Sequence, residues 1–220
     1  LSRLQARQGS RELALTQTFM RLVAERCAGH GLSVITPHEA VQRGSQVSLV
    51  RSEGGPPTGD PDADNAYLYA GITYDYFFTQ HGRDSYDNAG GELRSSVHYC
   101  PDAGNCPFAN AFCNGIQMVY GSTYASADDV VAHELTHAVT ERTAGLFYYM
   151  QSGALNESFS DIFGEIVDLT DGVGNDTAPV RWQMGEDLPI GAIRNMMNPG
   201  AFGDPARVND ANFKCYFDGT

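Results

Sequence analysis

The stretch Asp129-Val130-Val131-Ala132-His133-Glu134-Leu135-Thr136-His137, read together with Asn156-Glu157-Ser158-Phe159-Ser160-Asp161 downstream, decides how the rest of the chain is read. An α-helix turns once in 3.6 residues, so His133 and His137 leave one face of a helix and can share a metal ion. Glu134 points nearly the same way and can reach a water on that metal without being a ligand. A catalytic zinc takes three protein ligands and leaves one position open, and Glu157 is the natural third. The water then loses its proton near neutral pH, with Glu134 placed to take it and return it to a leaving group. Asp161, one turn beyond Glu157, is the candidate carboxylate for the other N–H of His133.

Composition narrows the setting. Lys and Arg number 14 against 27 Asp and Glu, a net charge of −13 that repels phosphate backbones and argues against nucleic acid as a partner. No apolar run approaches the roughly 20 residues of a membrane span, and no signal sequence is visible. The chain opens on Leu1, which is expected of a processed product or a fragment. Among the five cysteines, Cys100 and Cys106 bracket a short Pro/Gly loop that could close as a disulfide, which points to a secreted or extracytoplasmic setting.

Along the chain, residues 11 to 28 read as an amphipathic helix inside an N-terminal segment, 1–48, of unassigned role. Residues 51 to 64 are a Gly/Pro/Asp-rich connection. A helix is expected over about 62 to 81, with Tyr67, Ala70, Tyr74, Phe77 and Phe78 as its core stripe. Strands are expected at 93–99 and, after Asn114-Gly115, at 116–120. The histidine helix should start near Ser126 or Asp128 and stop at Gly145. A further helix, about 153–169, should bury Leu155, Phe159, Ile162, Phe163 and Ile166. Residues 181–220 read as long loops.

With these residues set out, the chain resembles the thermolysin-like metallopeptidases. The resemblance extends from the histidine helix to Thr143-Ala144-Gly145-Leu146, Gly153-Ala154-Leu155-Asn156-Glu157, Ser95-Ser96-Val97-His98-Tyr99, Asn110-Ala111-Phe112, Gln117-Met118-Val119-Tyr120-Gly121 and Gly185-Glu186-Asp187. It implies one catalytic Zn2+ on His133, His137 and Glu157, with Glu134 as base and Tyr148 as a hydrogen-bond donor to the developing oxyanion. It implies that Asn110 and Ala111 bind an extended substrate, that Arg194 contacts a substrate carbonyl, and that Val130 and Ile193 wall an apolar pocket. The expected activity is endopeptidase cleavage of peptide or protein substrates before bulky hydrophobic residues. Asp129, Asp168 and Glu186 match calcium ligands, with the backbone of Gln183. Arg181, where an Asp is usual, leads to the expectation of one Ca2+, with Glu165 recruited.

The implied architecture is α+β: an N-terminal domain over 49–145 ending in the zinc helix at the cleft floor, then the start of a helical domain over 146–220. Relatives continue into a Gly-Val-His segment with a second oxyanion donor, and none of the six histidines here fills that place. The sequence reading therefore expects an incomplete cleft, which a second chain could complete. A non-catalytic zinc-binding fragment and a zinc aminopeptidase are the alternatives.

Overall fold

The computed structural model describes residues 33–36, 48–102, 104–207 and 209–212. The helix expected over 11–28 and nearly all of segment 1–48 lie outside these residues. Strands β1 (Ser33–Thr36) and β2 (Ser48–Ser52) precede helix α1 (Pro61–His81). Strands β3 (Arg94–Ser96), β4 (Ala111–Cys113) and β5 (Met118–Tyr120) follow, then helices α2 (Asp128–Glu141) and α3 (Met150–Asp171). The described chain finishes with a two-residue ladder, β6 (Gln183–Met184) against β7 (Arg194–Asn195), and a 3-10 turn at Pro199–Phe202. Helices and small sheets together make an α+β fold.

Helix α1 starts where the sequence says it should. Asp60 caps it by accepting the Asp62 N–H at 3.1 Å, Pro61 occupies the first turn, and Gly82 closes it at φ 63°. Of its stripe, Ala70, Tyr74 and Phe77 are buried, whereas Phe78 is 42% exposed.

The five-stranded sheet runs β2-β1-β3-β5-β4, with β1, β3 and β5 parallel and the outer pairs antiparallel. Both expected strands are shorter than their alternation suggested. His98 takes a left-handed backbone at φ 57°, which bends the chain out of the ladder soon after Ser96. Asn114 accepts the N–H groups of Ile116 and Gln117 through its side chain, so those residues form the hairpin turn before β5. Strand β4 is left on the sheet edge.

Helix α2 is buried on almost every side: Asp128 through Thr136 are all below a tenth exposed, as befits a helix running through the core. Fully buried Val131 and Leu135, with Val167 of α3, each stabilise the fold by roughly 1.5–3 kcal/mol. The helix ends at Glu141, a turn short of Gly145.

Helix α3 corrects the face read from its periodicity. Leu155, Phe159 and Ile162 are 52%, 43% and 38% exposed, while Asn156, Ser160, Asp161, Glu165 and Asp168 are buried. The inward face is the polar one because it packs on the charged face of α2. Gly164 permits that approach: a Cβ there would stand 2.7 Å from the Asp129 carbonyl oxygen and 3.0 Å from Met184.

Candidate metal centre

Burying charged side chains is costly unless they are paired or bind a cation, and α2 buries both His133 and Glu134 at 5% exposure. Helix α3 brings Glu157 against the two histidines: its Oε2 lies 3.5 Å from His133 Nε2 and its Oε1 3.4 Å from His137 Nε2. The two Nε2 atoms are 2.9 Å apart, the rings edge to face. Each outer ring nitrogen has its own partner: His133 Nδ1 lies 2.8 Å from Asp161 Oδ1, and His137 Nδ1 lies 2.7 Å from Asn156 Oδ1. With protons at the Nδ1 atoms, both Nε2 lone pairs face one point, an arrangement that suits a cation between them.

Without a metal, the His133–His137 pair would favour one proton. Burial opposes it, yet Asp161 and Glu157 push His133 up to about 9, and burial with the His133 charge pushes His137 down. Glu157 is drawn down to about 2 against its burial by His133 and the Tyr148 hydroxyl. Zinc ligands at about 2.0–2.2 Å in a tetrahedron stand roughly 3.3 Å apart, close to the spacings found here. The donor set fits the ion.

Glu134 projects beside this cluster. Its Oε2 has no hydrogen-bond partner, and burial pushes the carboxyl up to about 7. The cleft above has a volume of 780 Å3 and is lined by Asn110, Ala111, Val130, Ile193, Arg194 and Tyr148 among others, so the residues implied for substrate contact all reach one space. Ala111 belongs to edge strand β4, with exposed Asn110 just before it. Two residues have partners that their implied roles leave out. Tyr148, 64% exposed, donates its hydroxyl to Glu157 Oε1. Arg194 forms a fork with Asp161, Nε to Oδ2 at 2.8 Å and Nη2 to Oδ1 at 2.6 Å.

A second group lies at the other end of the α2–α3 contact. Carboxylate oxygens of Asp129, Glu165 and Glu186 come within 4.8 Å of one another. Burial, then the charge of Glu186, pushes Glu165 up to about 8; burial, then the charges of Asp187 and Asp128, pushes Glu186 up to about 7. Asp168 is not among these three. Gln183 sits in β6 with its side-chain amide donating to the Pro179 carbonyl. Arg181 is exposed, and among the described residues it pairs with none of these acids.

Sequence reasoning gave Asn156, the partner of His137, no role. Asn156 directly precedes Glu157, and its burial at 6% on the inward face of α3 was hidden by the apolar periodicity of the outward face. The expected bridge between Cys100 and Cys106 is formed, with a Cα separation of 5.1 Å. No described helix is long and apolar enough to cross a membrane.

Comparison with known proteins agrees with this geometry. The family model described as "Thermolysin metallopeptidase, catalytic domain" matches residues 37–141, and "Thermolysin metallopeptidase, alpha-helical domain" matches 144–218. A model for the "Kynureninase C-terminal domain" also matches 9–56, of which only 33–36 and 48–56 are described. Bacillolysin of Brevibacillus brevis is 49% identical over 158 residues, covering 66% of this chain and 27% of that protein. The extracellular metalloprotease of Pectobacterium carotovorum subsp. carotovorum is 45% identical over 164 residues, 69% of this chain and 46% of that protein. Among solved structures, the precursor of protealysin, a metalloproteinase from Serratia proteamaculans, aligns with a TM-score of 0.63 at 36% identity, over 76% of this chain and 53% of that one. The chain thus spans between about a quarter and a half of the length of these relatives. Two adjoining models of one family, running together from 37 to 218, place the chain in it: it belongs to the thermolysin-like metallopeptidases.

Proposed function

We propose that this chain carries the metal-binding part of a secreted, zinc-dependent endopeptidase. The observation that carries the reading is the convergence of His133 Nε2, His137 Nε2 and Glu157 on one point beside an unpartnered, buried Glu134. His133, His137 and Glu157 would hold the zinc, which supplies Lewis acidity and an acidified water. Glu134, whose carboxyl burial pushes up to about 7, would be the base, placed to take a proton beside the cluster and pass it to the leaving amine.

An extended peptide adds to the free edge of β4 through the backbone around Asn110 and Ala111. Val130 and Ile193 offer an apolar wall to the residue after the cut. Tyr148 donates to the oxyanion once it has left Glu157. Asp161 and Arg194 hold His133 in orientation, with Arg194 also reaching the cleft. Asp129, Glu165 and Glu186 would hold one calcium, whose charge would offset theirs. The Cys100–Cys106 bridge and the extracellular relative support an extracytoplasmic location.

The test is zinc content together with cleavage of an end-blocked peptide. The expected result is one zinc per chain, and Glu134→Gln keeping that zinc while losing all but a small fraction of turnover. Equal turnover in Glu134→Gln would overturn the assignment of the base, and a chain that binds no zinc would overturn the site.

A further inference from the structure

The two ends of the cleft differ in character. At one end Val130 and Ile193 present an apolar wall, with Arg194 beside them. The other end is lined by Cys113, Asn114, Gly115 and Glu141, and the peptidase reading gives none of these a part. Glu141 is the last residue of α2 and is exposed. Among the described residues no Lys, Arg or His forms an ion pair with it. The adjacent cation is turned elsewhere: the Arg142 guanidinium lies over the Tyr86 ring, 5.9 Å from its centroid.

The Glu141 carboxylate is held against the turn between β4 and β5. Asn114 Oδ1 accepts the Ile116 and Gln117 N–H groups, each at 3.0 Å, which fixes that turn. Gly115 within it has φ +80°, and a Cβ there would stand 2.9 Å from Glu141 Oε2 and 3.4 Å from Oε1. Both oxygens therefore lie at the lip of the cleft, beside the strand edge on which a peptide adds. Their charge is felt inside it: burial, then the charges of Glu134 and Glu141, push the Cys113 thiol up to about 11.

Helix α2 acts as a ruler along the cleft. At its rise of about 1.5 Å per residue, Glu141 stands roughly 9 Å past the midpoint of His133 and His137, and Val130 roughly 8 Å before it. An extended peptide advances roughly 3.3 Å per residue, so Glu141 faces a position about two to three residues from the cut, on the side away from Val130. Val130 and Ile193 wall the residue after the cut, which leaves Glu141 to the residues before it.

We infer that Glu141 selects peptides carrying a lysine or arginine two or three residues before the scissile bond. This rests on the peptidase reading of the same cleft and adds a substrate class to it. The carboxylate is exposed, so the preference is modest, about two- to fivefold, and weakens with added salt.

The test is equilibrium binding of end-blocked, fluorescently labelled peptides to the zinc-loaded protein, read by anisotropy. Each peptide carries a phosphinic group in place of the scissile amide, which fixes its position on the metal, and a leucine after it. Lysine, glutamine or glutamate is placed two residues before that group in one series and three in another. In at least one series wild type is expected to bind the lysine peptide about two- to fivefold more tightly than the glutamine peptide. Glu141→Gln should bring that ratio to about one, and Glu141→Lys should shift the preference to glutamate. Each ratio compares two ligands on one protein, so a general loss of affinity in a variant cancels. Equal binding of lysine and glutamine peptides in both series, or a lysine preference that survives Glu141→Gln, overturns the inference and leaves the peptidase reading standing. A preference seen only when the amino terminus is left free assigns Glu141 to that terminus and overturns the side-chain assignment. No binding of any peptide overturns both readings.

Discussion

Asp161 and His133 are joined through an oxygen that Arg194 also claims: Asp161 Oδ1 lies 2.8 Å from His133 Nδ1 and 2.6 Å from Arg194 Nη2. Burial alone would raise the Asp161 carboxyl, but His133 and Arg194 hold it below the usual range, so it is an anion at any working pH. An anion at Nδ1 fixes the imidazole tautomer and makes Nε2 a stronger donor to a metal. Asp161→Ala is therefore expected to weaken zinc binding by about 10- to 100-fold. Competition against a chelator of known affinity measures this, and a change under threefold would contradict the role.

The acidic group at Asp129, Glu165 and Glu186 predicts an inverted pH profile for metal-depleted protein. Burial and neighbouring carboxylates raise the folded-state values, Glu165 to about 8 and Glu186 to about 7, above the ordinary 4.5. In that window the folded chain holds protons the unfolded chain has released, so stability falls as pH rises from about 4.5 to 8. In EDTA the melting temperature should be higher at pH 5.5 than at pH 8. Calcium should reverse the order, because it binds the ionised form. Melting curves at the two pH values, with and without calcium, decide the matter.

Contact between α2 and α3 depends on Gly164. A methyl group there would meet the Asp129 backbone carbonyl at 2.7 Å, an atom that cannot swing aside. Gly164→Ala should cost about 1–3 kcal/mol through overpacking. It should also loosen the metal site, because Glu157 and the histidines sit on opposite sides of that contact. The urea midpoint reads the first effect and zinc affinity the second; a variant within about 0.5 kcal/mol of wild type would show that the helices have slack.

Cys113 lines the cleft on β4, yet its thiol should be inert. Burial, followed by the charges of Glu134 and Glu141, pushes it up to about 11. The thiolate is the reactive form, so alkylation of the Cys113 peptide should be slow at pH 7.5 and rise about tenfold per pH unit. Peptide mapping by mass spectrometry follows it, and rapid labelling at neutral pH would contradict the burial.

Much of the candidate site was legible because its spacing is local. His133, Glu134 and His137 lie within one helical turn, and Glu157 and Asp161 within another, so 3.6-residue geometry alone groups them. The helix expected over about 62–81 was equally plain from its periodicity. The orientation of α3 was not. Its apolar residues at 155, 159 and 162 satisfy every rule for a core-facing stripe, yet they lie exposed while the polar stripe is buried. Periodicity identifies two faces, and only the neighbouring element decides which goes inward.

By itself, the sequence determined the chemistry on offer: two imidazoles and three carboxylates at helical spacing, an acidic surplus, and a family. Tertiary structure alone decided which groups share an atom or a space. It paired Tyr148 with Glu157 and put His133 and Arg194 on one Asp161 oxygen. It also set the Glu141 oxygens beside Gly115, leaving Arg181 out in solvent. Helical geometry acts over a few residues and can be read along the chain; electrostatic pairing acts through space between segments far apart in sequence, and only folding sets those distances.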